Sequence, residues 1–151
     1  MQEQVTRKRE IRGLKELADF RFHLRQFLSF SEIASERYGV QAQQYQLLQV
    51  IAAVPPGQPA SVSYLAERMV LRHNSTVELV DRAERAGLVE RHSDERDLRR
   101  SLIALTPRGE EVLRHLVAEH LAELAKHGEE LVHALRGVNA AGGAATQEAD
   151  A

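Results

Sequence analysis

Apolar residues recur at helical spacing along most of the chain and alternate with polar residues only in two short stretches near residues 90 and 103. From Ile11 to about Arg37 they fall every three or four positions, which predicts a long amphipathic helix. A second helix is predicted over about 41–54, and the following PPGQP ends it because proline cannot continue a helix. The apolar face of the first helix is wider than one short domain needs, which indicates association with another helix surface.

Two shorter helices come next, with the spacing of a helix-turn-helix. Ser61 is predicted to be the N-cap of the first, and the second runs over about 72–86 and ends at Gly87. One face of the second helix is predicted to be core, and its members are Thr76, Leu79, Val80 and Ala83.

A hairpin is predicted after the second helix, because LVERH and SLIALT read as strands on either side of a highly charged segment. A helix-turn-helix followed by a two-stranded hairpin is a winged helix. Thr106 is then a good N-cap with Pro107 at the first helical position, so a long helix is predicted, with a break at Gly128. The predicted fold is therefore mainly α with a small β-hairpin wing, a winged helix-turn-helix flanked by N- and C-terminal dimerisation helices.

The pattern divides the chain into four parts. N-terminal dimerisation helices occupy 9–54, a winged helix-turn-helix lobe occupies 55–105, and C-terminal dimerisation helices occupy 106–138. The remaining stretch, 139–151, reads NAAGGAATQEADA; it is small, polar and glycine-containing, which predicts a disordered tail.

Composition excludes several classes of function. The chain has no cysteine, which excludes disulfides, thiol redox chemistry and cysteine-based metal sites. No apolar run approaches the roughly 20 residues of a membrane span, and the first residues are polar, so no membrane partner and a cytoplasmic location are expected. No phosphate loop, nucleophile elbow or paired acid constellation is present, so the sequence predicts neither an enzyme nor a cofactor.

The type of charge is more informative than its balance. The net charge of −2 does not by itself indicate nucleic-acid binding, but only three basic residues are lysines. Arginine's planar fork suits bidentate contacts to phosphate and guanine. In the wing, Arg96 and Arg99 are therefore predicted to reach DNA, with Asp94 and Asp97 orienting them. The alternative is an ordinary solvated turn.

The exposed face of the second short helix supplies the other predicted DNA contacts. Base readout is assigned to residues near the helix start, and a further contact to one residue in its middle; together they are Arg72, His73, Asn74, Ser75 and Arg82. Asn74 could instead be only an N-cap, and Arg82 could pair with Glu78 one turn earlier.

The stretch LAERMVLRHNSTVELVDRAERAGLVERHSDERDLRRSLIALTPRGEEVL resembles the MarR family of bacterial winged-helix regulators. The likeness is carried by LVDR leading to GLV, a wing of the form D-x-R-D-x-R, and LT-x-x-G opening a long helix. The resemblance implies a homodimer that binds double-stranded DNA at a pseudopalindromic operator, mostly as a repressor released by a small aromatic or amphipathic ligand. Many relatives carry another arginine where this chain has Leu98.

Two further groups of helix residues could form a metal site or a ligand pocket. His115 and Glu119, together with His120 or His23, could form a metal site, but the spacing is not that of a zincin and no metal site is predicted. His23, Arg25 and Tyr45 could receive an aromatic carboxylate. The favoured alternative is that Arg21 and Arg25 are surface members of the dimer helix and that the interface is packed by Phe22, Phe27 and Phe30.

The sequence thus predicts a dimeric, sequence-specific DNA-binding transcriptional regulator, a repressor released by a small ligand. The alternative is a winged-helix module that binds proteins and has no specific DNA site.

Overall fold

The computed structural model describes residues 11–149, and their side chains through residue 144. Seven elements follow one another along the chain: α1 (Leu14–Arg37), α2 (Ala42–Ala52), α3 (Val62–Met69), α4 (His73–Arg85), β1 (Val89–Ser93), β2 (Ser101–Leu105) and α5 (Pro107–Ala149). The predicted fold class is confirmed, because α3 and α4 form the helix-turn-helix and the β1–β2 hairpin forms the wing.

The described residues form two compact units. The wing unit comprises residues 30–122, and the helical unit comprises residues up to 29 and from 123 onward. Residues 30–54 and 106–122 are grouped with the winged helix. The two long helices, α1 and α5, each contribute to both units.

The core of the wing unit is a single cluster built from every element of that unit. Its largest fully buried apolar side chains come from α2, α3, α4, the start of β1 and α5, and they are Tyr45, Leu47, Leu48, Leu65, Leu79, Val80, Leu88, Val89 and Leu116. The predicted core face of α4 is confirmed, since Thr76, Leu79, Val80 and Ala83 are all buried. Burial of one face of α4 leaves the opposite face in solvent.

Local signals fix the ends of the two short helices. The Ser61 hydroxyl accepts a hydrogen bond from the Tyr64 amide at 3.3 Å, so the predicted N-cap of α3 is confirmed. The turn between α3 and α4 uses Val70 in the left-handed region, with φ of +54°, which is rare for a β-branched residue. Gly87, with φ of +73°, lies just beyond the end of α4, where glycine adopts this conformation without strain.

The wing is held to the helix-turn-helix through its second strand. β1 and β2 pair antiparallel, with Arg91 opposite Ile103. On its other edge β2 is bridged to the chain just before α3, because the Ile103 amide donates to the Ala60 carbonyl at 2.9 Å and Ser61 pairs with Leu102. The base of the hairpin is therefore fixed relative to α3, and only its tip extends beyond the sheet.

Helix α5 is longer than the sequence predicts. The break expected at Gly128 does not occur, and residues 139–149, predicted as a disordered tail, continue the helix to Ala149. Residues 150 and 151 lie outside the described residues. Alanine has the highest helix propensity, and the tail holds several, so an established helix can propagate through its glycines.

Candidate nucleic-acid interface

The first turn of α4 presents a row of polar side chains to solvent. The helix begins at His73 with Arg72 as an extended N-cap residue, and the four side chains predicted to read bases are all exposed: Arg72, His73, Asn74 and Ser75. The Arg72 side chain forms no capping hydrogen bond. Its carbonyl instead accepts the Thr76 hydroxyl at 3.0 Å, which ties the start of the helix to the core.

Both structural alternatives for residues on α4 disagree with this geometry. Asn74 is not the N-cap, because the helix has already begun at His73. Arg82 is exposed and forms no ion pair with Glu78 or any other described residue. Both side chains are therefore available to an external partner.

The base of the loop between β1 and β2 is built around the buried carboxylate of Asp94. This carboxylate accepts the Arg100 guanidinium through Nε at 2.5 Å and the backbone amide of Arg96 at 2.9 Å. The hydrogen bond from the Arg100 side chain, followed by that from the Arg96 amide, holds the pKa of Asp94 below its ordinary value. Asp94 thus keeps its charge and closes the loop across its base.

The tip of this loop is held by Asp97, which pairs with a neighbouring arginine. Its carboxylate accepts the side chain and the backbone amide of Arg99, both at 3.1 Å, and these bonds lower the pKa of Asp97. The Arg99 side chain is 92% exposed, so the pair lies in solvent and stabilises the fold little. Its effect is to orient the guanidinium at the tip.

The sequence predicts that Asp94 and Asp97 orient Arg96 and Arg99; in the structure Asp97 binds the Arg99 side chain, whereas the side chain bound by Asp94 is that of Arg100. Asp94 binds only the backbone of Arg96, and the Arg96 side chain is exposed with no ion pair to a described residue. The residue that Asp94 does hold is Arg100, which the sequence analysis left out of the site. Leu98, between Asp97 and Arg99 at the tip of the loop, is 82% exposed.

A second residue missed from sequence is Arg91, which joins the wing to α4. Its guanidinium bridges Asp81 at 2.5 Å and Glu84 at 2.8 Å. Two α4 carboxylates are thereby neutralised, and β1 is fixed against the helix. The available signal was the position of Arg91 within strand LVERH, two residues from a buried valine on the same face of the hairpin.

The residues predicted to form a carboxylate pocket occupy different environments. His23 belongs to the helical unit, where it lines a cavity, and Arg25 is exposed and does not line that cavity. Tyr45 belongs to the wing unit and is 2% exposed, and it stacks on His120 with ring centroids 4.5 Å apart. Burial raises the pKa of Tyr45.

The histidines considered as metal ligands serve other contacts. His115 stacks on Tyr38, and Glu119 accepts a hydrogen bond from Arg37. His120 is buried, with Nδ1 2.6 Å from the Leu116 carbonyl and Nε2 2.9 Å from the Ser31 hydroxyl. Across residues 11–149, no three histidine, cysteine or acidic side chains are grouped as metal ligands are.

The sequence model of the MarR family matches residues 38–100, which include α2, the helix-turn-helix and the tip of the wing. Residues 38–100 are therefore similar to the MarR family. The resemblance seen in the sequence is confirmed, although the matched segment begins earlier and ends earlier than the quoted stretch. No curated protein sequence matches the chain.

Solved structures of MarR-family regulators resemble the chain. A crystal structure of a MarR family transcription regulator is 25% identical with a TM-score of 0.70, covering 88% of this chain and 87% of the other. CouR from Rhodococcus jostii RHA1, bound to p-coumaroyl-CoA, is 26% identical with a TM-score of 0.61, covering 74% and 79%. The M. tuberculosis regulator MOSR, in complex with DNA, shares the fold at 23% identity with a TM-score of 0.60, covering 87% and 96%.

The MarR-family neighbour at 25% identity is a transcription regulator, and MOSR was solved in complex with DNA. No helix among residues 11–149 combines the length and the apolar character that crossing a membrane requires.

Proposed function

We propose that the chain is a dimeric, sequence-specific DNA-binding transcriptional regulator, and that it represses transcription until a small ligand releases it. The observation that carries the proposal is a wing whose base is fixed to the helix-turn-helix and in which Asp97 holds the exposed Arg99 side chain while Asp94 holds the Arg96 backbone amide. Such preorganisation lowers the entropy lost when flexible arginines bind. A regulator, rather than an enzyme, also agrees with the nature of the relatives.

In this proposal α4 enters the major groove with its first turn. The exposed side chains of Arg72, His73, Asn74 and Ser75 then face base edges, and Arg82 contacts a phosphate on the flank. Arg96 and Arg99 reach the adjacent minor groove, where the negative potential attracts guanidinium groups.

The charge balance of the surface makes placement decisive. From residue 68 to residue 100 there are eight arginines and seven acids, so bulk attraction to DNA is small. The pairing of Arg91 with Asp81 and Glu84 withdraws two of those acids from phosphate repulsion. Glu78 remains exposed on α4, and we expect a modest dependence of affinity on salt.

Dimerisation is proposed to occur through the helical unit. Large apolar side chains remain exposed on both helices of this unit, including Leu14, Leu17, Phe22, Val132 and Leu135. A twofold dimer would bury this surface and present two recognition helices about one helical turn of DNA apart, which matches a pseudopalindromic operator.

Release is proposed as a population shift. A ligand that binds one arrangement of the two winged helices better than another changes their spacing, and operator affinity falls by the difference. A small-molecule effector is consistent with CouR, a relative whose structure contains p-coumaroyl-CoA.

The test is fluorescence-anisotropy binding to the DNA upstream of the chain's own gene at two salt concentrations. Arg99→Ala is compared with Arg136→Ala, an exposed arginine of the helical unit. We expect the wing variant to weaken binding about tenfold and to reduce the salt slope by about one, while the control is unchanged.

Equal affinities for this DNA and random DNA would call for selection from random sequences. If that selection also yields no preferred site, specific DNA binding is refuted. The near-neutral winged helix would then be a protein-interaction module.

A further inference from the structure

The helical unit contains a cavity that has no part in the DNA interface. It lies between α1 and α5, is lined only by residues of that unit, and measures about 320 Å³. Cavities of roughly 300–1,000 Å³ are typical of small-ligand sites. Its apolar lining comes from Phe27, Leu124 and Leu131, and its remaining lining is mostly polar.

The polar lining is acidic. Glu123 and Glu130 contribute carboxylates, and no lysine or arginine among the described residues lines the cavity. The two histidines both face one acid, since Oε2 of Glu130 lies 3.9 Å from Nδ1 of His23 and 3.9 Å from Nδ1 of His127. Two carboxylates without a permanent cation favour a positively charged guest.

A glycine at the cavity wall, Gly128, also leaves room for a ligand. Gly128 lies in the interior of α5, where glycine weakens a helix relative to alanine, yet the helix runs through it unbroken. A Cβ at this position would lie 3.7 Å from the Leu124 Cβ, an ordinary contact, so packing does not require glycine. The missing side chain leaves space beside the acidic lining.

We propose that this cavity binds an organic cation with an aromatic or apolar body. The amidinium or ammonium group pairs with Glu130 and Glu123, and the apolar body packs on Phe27 and the leucines. Among residues 11–149 no three potential ligands are grouped for a metal, which favours an organic cation over a metal ion. This class of ligand is opposite in charge to the aromatic carboxylate that His23, Arg25 and Tyr45 could receive.

The decisive comparison uses two probes that share a ring and differ in charge, benzamidinium and benzoate. Each is titrated into the full-length protein by calorimetry, for wild type, Glu130→Gln and the control Glu129→Gln. Glu129 is an exposed neighbour on α5 that does not line the cavity. We expect benzamidinium to bind more tightly than benzoate, Glu130→Gln to weaken it roughly fivefold, and Glu129→Gln to change it less than about twofold.

Three results would overturn the inference: benzoate binding as tightly as benzamidinium, equal affinities for the two variants, or no heat with benzamidinium at millimolar concentration. Stoichiometric zinc binding that Glu130→Gln abolishes would also overturn it, in favour of a metal site.

The effect of this ligand on DNA rests on the proposed function, whereas its binding does not. Operator anisotropy in the presence of saturating benzamidinium therefore forms a separate arm. Loss of ligand binding with intact operator binding refutes only the cavity assignment. Ligand binding by a protein that recognises no DNA site refutes only the proposed function.

Discussion

The wing unit and the helical unit treat their apolar side chains in opposite ways. In residues 30–122 every helix and strand contributes to one buried cluster. In the described part of the helical unit Ala134 is the only buried residue, and large side chains such as Leu17 and Phe22 are more than half exposed. Burial of apolar surface is the main favourable contribution to folding. The wing unit obtains this burial from its own elements, whereas the helical unit leaves much of its apolar surface in solvent.

The same helical pattern of apolar residues therefore has different outcomes in the two units. Helical periodicity creates an apolar face in both units, but in the wing unit neighbouring elements cover it. In the helical unit much of this surface stays exposed, and the proposed dimer would cover it.

The largest effect is expected from Gly109→Ala in the wing unit. A Cβ there would lie 2.1 Å from the Leu88 carbonyl oxygen, a backbone atom that also accepts the Thr106 amide. Because backbone cannot swing aside, we expect a loss of about 3 kcal/mol or more in the free energy of unfolding, measured by urea denaturation. Gly143→Ala, with nothing within 4 Å, is the matched control, and an equal loss there would contradict the explanation.

The next effect concerns association. Leu17→Glu places a charge on the exposed apolar face of the helical unit, and we expect the dimer to weaken at least about tenfold, measured by sedimentation velocity over a concentration series. Leu98→Glu is the control, since this leucine is even more exposed but lies in the wing. If both variants, or neither, dissociate, the helical unit is not the dimer surface.

A smaller effect is expected at the junction between the wing and α5. The Thr106 hydroxyl accepts the Gly109 amide at 3.1 Å and donates to the Gly87 carbonyl at 2.5 Å. Thr106→Ala removes both bonds and should cost about 1 kcal/mol of unfolding free energy, whereas Thr106→Ser, which keeps the hydroxyl, should recover most of it. A serine variant as unstable as the alanine variant would show that the cap is not the cause.

The smallest effect is local and depends on pH. The pKa of Asp94 is lowered in the folded wing, so its contribution is present above the unfolded value and is lost as pH falls through the folded value. Below about pH 4 we expect hydrogen exchange at the wing amides to become faster relative to exchange at the core amides. Asp94→Asn should remove this pH dependence; a wing that loosens identically in the variant would implicate another group.

The helix-turn-helix was predictable because its signals are local. Ser61 as a cap, the buried face of α4 and Gly87 at its end each depend on residues a few positions apart. The continuation of α5 through Gly128 was not predictable, because a glycine's cost is small and a long helix can absorb it.

The order of the elements, the winged helix and the arginine-rich tip followed from local patterns in the sequence, since periodicity, caps and turn residues act over short distances. Folding brings together three sets of partners that the sequence did not reveal: Asp94 holds Arg100 rather than the Arg96 side chain, Arg91 joins the hairpin to α4, and His23 lines an acidic cavity. These partners lie on different turns or different elements. Their choice depends on distances that the folded chain sets and that no local pattern contains.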